Sequence, residues 1–409
     1  MRTLVIAGDY PWPEDIGPRI RLAMVLRGLQ RCGPTELFSI VSKFRSDFGE
    51  PDEALGLAKV GRIGFDNRPA SGMQLLATMA RPSMPVGLPW RDRPMVKRAL
   101  ANFISGKYDL VWFFGARPWV LAGEPSFAPT ILDLDDLEDQ KIAARLAVPP
   151  QPAASVIERA RRFGGRVVSQ EEMRRWRRLH RRADGRTATT VVCSQLDAER
   201  ASANGLARVA VLPNGYRLVE HPVGRSEVGS TPTVLFQGLL RYPPNAEAAR
   251  LLANEVGPAL RTLVPDAQVR LVGAHNPELA SLHHPPEVTV VGQVPDMATE
   301  LARADIVVVP IRYGSGTRLK ILEAFAQRVP VVSTPLGAEG LGVEHGVHLL
   351  IGDSVPALAA ACGRLLTDPH LRRTIADRAH AHFVDNFRSD VVEEQVARLA
   401  GDVVGNGQP

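Results

Sequence analysis

The sequence predicts an α/β fold of two doubly wound, Rossmann-like domains, each a parallel sheet covered by helices on both faces. Three observations predict it. The chain has 409 residues, the length of two ordinary domains. Short runs rich in β-branched residues alternate with amphipathic stretches from end to end. Most of those runs are apolar throughout rather than alternating, as strands buried on both faces of a parallel sheet must be. Hydrophobic residues are 45% of the chain and charged residues 23%, enough apolar material to fill two cores.

Taken in order, the strand-like runs of the first half are TLVIAG (3–8), LFSIVS (37–42), DLVWFFG (109–115), TILDLDD (130–136), TTVVCS (189–194) and VAVLPNG (209–215). The segment RIRLAMVLRGLQRCG (19–33) between the first two reads as a helix, stopped by Gly33-Pro34. Residues 66–100 show no clear period beyond loop plus helix. After Gly215 the polar, Gly/Pro-punctuated stretch 216–232 reads as a linker between a first domain, 1–215, and a second, 233–384. The second series runs TVLFQG (233–238), a helix over 245–263, QVRLVGA (268–274), VTVVGQV (288–294), a short helix from Asp296, DIVVVP (305–310), a helix after Thr317, PVVST (330–334) and HLLIGD (348–353). The remaining residues, 385–409, are helical and are expected to return to the first domain. Ligands of such sheets bind outside the carboxyl ends of the strands, so the loops after the strands, facing a central cleft, are where chemistry is sought.

Bulk properties exclude several classes. Cys32, Cys193 and Cys362 are far apart without a CxxC pair and read as buried free thiols. The first apolar run is too short for a signal peptide and reaches Asp9 at once. No stretch approaches the ~20 apolar residues of a membrane span. These features predict a cytoplasmic protein. The net charge of +5 is modest, but residues 161–182 hold nine arginines, Arg161, Arg162, Arg166, Arg174, Arg175, Arg177, Arg178, Arg181 and Arg182, against Glu171 and Glu172. Met173, Trp176 and Leu179 add an apolar stripe at helical spacing. This segment is either a solvated surface helix or a docking face for an anionic membrane surface or anionic acceptor. Nucleic acid is not expected as a partner, since no nucleic-acid motif accompanies the charge.

The stretch YGSGTRLKILEAFAQ (313–327) carries the most chemistry. DIVVVP ends a strand, Gly314 and Gly316 permit φ > 0 and close backbone approach, and Thr317 is placed as the N-cap of the next helix. Arg318 and Lys320 then stand in its first turn, where cations oppose the macrodipole at a cost of about 0.3–1 kcal/mol. An anion bound at the helix N-terminus removes that penalty, with Arg318 as a bidentate grip and Lys320 as a point contact. Glu323, three residues after Lys320 on the same face, can accept hydrogen bonds from a diol. Phosphates followed one turn later by a sugar describe a nucleoside diphosphate. The alternative is an ordinary βα loop with solvated Arg and Lys.

GSGTRLKILEA (314–324) and the continuing PVVSTPLGAEGL closely resemble glycosyltransferase family 4, the glycosyl transferases group 1 of GT-B fold, in its Gly-rich G-x-G-T-R-x-K-x-x-E-A subgroup. VLFQGLLRYPPNAEAARLL resembles the opening of that family's second domain, matching at Gly238 and Asn245, and YPWPEDIGPRIRLAMVLRGL resembles its first loop and helix, with Gly17 and Arg19. The resemblance implies a retaining transferase that moves a hexose from a nucleotide diphosphate sugar to a glycan, lipid-linked or small-molecule hydroxyl, with no cofactor or metal required. It implies catalytic roles for Arg318, Lys320 and Glu323. It implies donor contacts from Gly314, Ser315, Gly316, Thr317, Gly238, Arg241 and Gly337, and from the backbone at Gln293 and Val294, which would meet the base. It also implies an acceptor or phosphate loop at Gly17 and Arg19. The acidic run DLDDLEDQ (133–140) follows a strand, so Asp135 stands at the sheet's ligand edge as an acceptor-binding carboxylate or part of a metal site, and the basic segment 161–182 suggests peripheral attachment to the inner face of the plasma membrane. Two features depart from other members: Ser315 stands where many carry a first Glu, and no histidine occurs near 109–120. They keep a second reading open, a non-catalytic nucleotide- or glycan-binding relative. The acids of 133–140 also suit a helix N-terminus, His380 and His382 read as surface histidines, and Ser194 lacks a nucleophile elbow.

Overall fold

A computed structural model describes residues 1–44, 48–66, 84–86, 88, 90–147, 155–222, 231–314 and 316–405. The chain forms two compact units, Met1–Pro213 with Val392–Pro409, and Asn214–Val391. The first unit holds seven parallel strands: β1 (Thr3–Ala7), β2 (Thr35–Ser42), β3 (Lys59–Phe65), β4 (Leu110–Phe114), β5 (Thr130–Asp133), β6 (Thr189–Val192) and β7 (Val209–Val211), in spatial order β3-β2-β1-β4-β5-β6-β7. The second holds six: β8 (Thr233–Gln237), β9 (Gln268–Val272), β10 (Val288–Gly292), β11 (Ile306–Val309), β12 (Val331–Ser333) and β13 (Leu350–Ile351), in order β10-β9-β8-β11-β12-β13. Every strand pair is parallel. In each sheet the strand order reverses once, between β1 and β4 and between β8 and β11, and at such switch points ligand crevices open at the carboxyl ends of strands.

Apolar strands became the core for the reason the sequence suggests. β1, β4, β8 and β11 are buried along their whole length. The edge strand β3 escaped the sequence reading because Gly61 and Gly64 dilute its β-branched signal. A Cβ at Gly61 would come within 2.6 Å of the Phe103 ring, so the glycine is a packing requirement. The helix expected over 245–263 is interrupted. It runs Pro243–Leu251, opens into a π-turn over Leu252–Val256 and resumes at Gly257–Arg261, where Pro258 has no N–H to continue the α ladder. The last helix, Ser389–Gly405, buries Val392, Val396 and Ala400 in the first unit's core beside Leu22, Val25 and Leu29. Of the expected linker, 223–230 lies outside the described residues. Tyr216, at its start, is held within the second unit: its N–H donates to Phe387 O and its carbonyl accepts from Ser389 N–H.

The basic helix and the acidic run take more specific forms than the sequence shows, and Glu138 and Asp139 do stand in the first turn of the helix Glu138–Ala147. The apolar stripe of the basic helix, Val156–Asp184, does not face solvent: Trp176 and Leu179, with Ala183, are part of the first unit's core. The acids of 133–140 are taken up mainly by internal cations. Asp133 is fully buried against Arg21, with Nη2 to Oδ1 at 2.9 Å, while Asp139 is paired with Arg177 at 3.1 Å and lies 3.5 Å from His180. Arg21 also donates to the carbonyls of Leu212 and Pro213, tying the end of β7 to β5. Among the described residues no helix is long and apolar enough to cross a membrane.

Candidate functional site

In the second unit, the loops after β8 and β11 converge at the switch point. Gly238 follows β8 with φ +137, a conformation few side chains adopt. Its neighbour across β9, Gly273, is equally constrained: φ is +133, and a Cβ there would sit 1.8 Å from Gly238 O. This close approach opens a hollow that Lys320 enters. The Lys320 ammonium lies 4.3 Å from the Phe236 ring centroid and 2.8 Å from Asn245 Oδ1, against the bare face of Gly238. Asn245 is itself held, donating through Nδ2 to Leu239 O at 3.0 Å.

The helix that presents this lysine, Leu319–Ala326, starts one residue later than expected. Arg318 is its N-cap, in extended conformation, and its side chain makes no cap hydrogen bond. Thr317 is diverted, its hydroxyl accepting from Asn214 Nδ2 at 2.7 Å. Among the described residues the backbone donors of the first turn have no side-chain cap, and two cations stand beside them. Gly314, buried with φ +127, lets the Arg318 guanidinium lie close: a Cβ there would come within 3.0 Å of Nη2. Gly316 has φ +77. Ser315 lies outside the described residues.

Glu323 sits one turn further along. Tyr216 Oη donates to its Oε1 at 2.9 Å, and Gln237 Nε2 approaches Oε2 at 3.5 Å while donating to Lys320 O at 3.2 Å. Gln237 is buried, and its Oε1 has no hydrogen-bond partner among the described residues. Burial raises the Glu323 carboxyl above the usual carboxylate range and pushes the Tyr216 phenol up as well. Lys320 is pulled down to about 7, chiefly by burial and next by the Arg318 charge, with Glu323 acting the other way.

The structure therefore brings together Gly238, Gly314, Arg318, Lys320 and Glu323 of the expected residues. It adds Phe236, Gln237, Asn245, Tyr216 and Gly273. Gln237 was readable as a polar residue closing an apolar strand; Tyr216 carried no signal, being 107 positions from its partner. Arg241 stands exposed on the loop after β8. Gln293 and Val294 follow β10, two strands from β8. Gly337 is buried in the short helix Pro335–Ala338; its N–H is taken by Thr334 Oγ1 at 3.0 Å, and a Cβ would strike Ser333 Oγ, so packing requires a glycine there.

In the first unit, Gly17 opens the helix Gly17–Gln30 after β1. Arg19 is fully buried and held by Asp15 Oδ1 at 2.8 Å, with Asp9 at 3.7 Å. Asp135 accepts from Cys193 Sγ at 3.2 Å and lies 3.8 Å from Arg21; burial pushes the Cys193 thiol well up, so it is no nucleophile. The histidines of 380–382 are half-buried, His380 against Phe325 O and His382 against Leu341 O. Among the described residues no group of three or more His, Cys, Asp or Glu could hold a metal ion.

Two doubly wound parallel sheets, with a cation-bearing helix start at the second switch point, define the class as GT-B. Residues 231–368 match the family described as Glycosyl transferases group 1, which places this domain in the second unit. The solved structures agree on fold. Sucrose-phosphate synthase from Thermosynechococcus elongatus aligns over 100% of both chains with a TM-score of 0.69 at 16% identity. Anabaena Alr3699/HepE, solved with UDP and glucose, covers 97% of this chain and 98% of its own with a TM-score of 0.64 at 17% identity. Curated relatives match in part: trehalose synthase from Rubrobacter xylanophilus is 34% identical over 103 residues, 25% of this chain and 24% of its own. The exopolysaccharide phosphotransferase of Streptomyces coelicolor is 32% identical over 121 residues, 29% of this chain and 13% of its own. The chain thus spans less than a quarter of the length of these two.

Proposed function

We propose that the chain is a retaining glycosyltransferase that moves a hexose from a nucleoside diphosphate sugar to a hydroxyl of a glycan, lipid-linked or small-molecule acceptor. The observation that carries this reading is the placement of Lys320 and Arg318 beside an uncapped helix N-terminus at the switch point, with Glu323 one turn on. The diphosphate seats against the two cations and the helix N–H groups. The ribose diol meets Glu323, and Gln237 Oε1 supplies a further buried acceptor. As the anomeric C–O bond to the β-phosphate breaks, charge grows on the phosphate oxygens, and preorganised cations lower that barrier. UDP sugars are the first donors to test, since Alr3699/HepE is solved with UDP-glucose. Glycine-bearing Gly17 opens the first unit's switch-point loop, and the acceptor is placed there.

A thermal-shift screen across nucleoside diphosphates and their sugars should find one family that stabilises the protein, by RT ln(1 + [L]/Kd). Arg318→Ala with Lys320→Ala, and separately Glu323→Ala, should then lose donor turnover while the far-UV spectrum stays that of the parent. Unchanged turnover in both variants would refute the assignment.

A further inference from the structure

The basic helix presents an arginine-lined cavity that the donor reading does not use. Arg174, Arg177, Arg178 and Arg181 recur at three- and four-residue spacing and so share one face of the helix Val156–Asp184. With the 203–205 turn that follows the helix Gln195–Ala203, they line a cavity of about 370 Å³. Gly205, at φ +90, lets the Arg181 stem cross it, since a Cβ there would lie 3.1 Å from Arg181 Cδ.

The acids nearby do not balance these charges. Glu171 is shared between Arg175 at 3.3 Å, Arg178 at 3.4 Å and Arg174 at 3.9 Å. Asp139 serves Arg177, with Asn204 Nδ2 also donating to it at 3.0 Å. The Arg181 guanidinium has no partner among the described residues, while Glu171 is shared among three arginines. The site is remote from the crevice edge: the basic helix feeds β6 and the 203–205 turn feeds β7, so the cavity lies toward the amino ends of these strands, whereas ligands of the sheet bind at the carboxyl ends.

We propose that this cavity binds a phosphoryl group, held by charge-assisted hydrogen bonds from Arg178, Arg181 and their neighbours. The phosphoryl group has two sources, a free phosphorylated solute or an anionic phospholipid headgroup. Phe163 and Val167 continue the same face toward the helix N-terminus and are 72% and 50% exposed, so the lipid source would bring acyl chains beside them.

The test uses the full chain carrying Arg318→Ala and Lys320→Ala, so that the donor site does not contribute. Inorganic pyrophosphate is titrated calorimetrically, and phosphatidylglycerol–phosphatidylcholine vesicles are co-sedimented in parallel. Arg178→Gln with Arg181→Gln should weaken pyrophosphate binding about tenfold or more. Arg159→Gln with Arg161→Gln, which removes the same charge outside the cavity, should not. Loss of vesicle binding in the cavity variant and in Phe163→Ser assigns the source to lipid. Pyrophosphate binding without vesicle binding assigns it to a free solute. No binding of either probe, or binding that both arginine pairs weaken equally, overturns the proposal.

Discussion

A lysine that titrates near neutrality should make donor binding depend on pH in one direction. The sign follows from linkage. In the free site Lys320 is held down to about 7 by burial and by Arg318. A diphosphate beside the ammonium favours the charged form, so the bound pKa is higher and binding takes up a proton. Above pH 7 the site must first be protonated, and affinity falls by at most tenfold per pH unit. Taking the free site at 7 and the bound site as fully charged, affinity falls roughly 90-fold between pH 6 and pH 9. That value is a ceiling, because Lys320 keeps part of its surface in water. The assay is calorimetric titration with a nucleoside diphosphate sugar, whose phosphates do not ionise in this range, repeated in two buffers of different ionisation enthalpy to count the protons. Lys320→Arg, with a guanidinium charged throughout, should flatten the profile. A flat wild-type profile, affinity that rises with pH, or an unchanged slope in Lys320→Arg would refute the placement of the diphosphate at this ammonium.

Three further outcomes are expected. Tyr216→Phe removes the hydroxyl that donates to Glu323 at 2.9 Å and should cost about 1–2 kcal/mol of stability by urea unfolding, with a raised donor KM; an unchanged midpoint and KM would count against the contact. Gly273→Ala places a Cβ 1.8 Å from Gly238 O in a backbone region alanine avoids, and should cost about 3–5 kcal/mol, read as a fall in the urea midpoint. Gly28→Ala sits inside a helix, where alanine ordinarily gains about 1 kcal/mol. Here the new Cβ would lie 2.6 Å from Val396 Cβ and 2.7 Å from Glu393 O, so the sign should reverse to a loss of about 1–3 kcal/mol; a stabilised variant would contradict the contact between this helix and Ser389–Gly405.

What was legible depended on range. The buried strands announced themselves because a parallel strand covered on both faces needs nothing but local apolar sequence. Gly314, Arg318, Lys320 and Glu323 were legible because one helix start brings them together, and helical spacing is readable along the chain. Tyr216, Gln237 and Asn245 act on that same helix from 107, 83 and 75 positions away, and no local pattern encodes such a meeting. β3 and the pairing of Asp133 were unreadable for a related reason. A glycine that makes room for Phe103 looks like a strand breaker, and a buried carboxylate paired with Arg21 looks like a solvated one until its partner, 112 residues away, is seen.

The cations at the start of Leu319–Ala326 can now be explained physically. A helix start normally takes an acidic or hydroxyl cap, and here Thr317 was at hand for it. The fold instead turns Thr317 toward Asn214, and among the described residues the N-terminal donors have no side-chain cap. Lys320 is taken into a hollow that exists because residues 238 and 273 lack a Cβ, where one amide oxygen and one aromatic face replace its water. Burial, and next the Arg318 charge, pull the Lys320 pKa down to about 7. A helix N-terminus with no side-chain cap among the described residues, the Arg318 guanidinium beside it and the Lys320 ammonium thus stand together at one place. In the proposed reading one species, a doubly charged diphosphate, meets all three groups at once, which is what a built anion site requires.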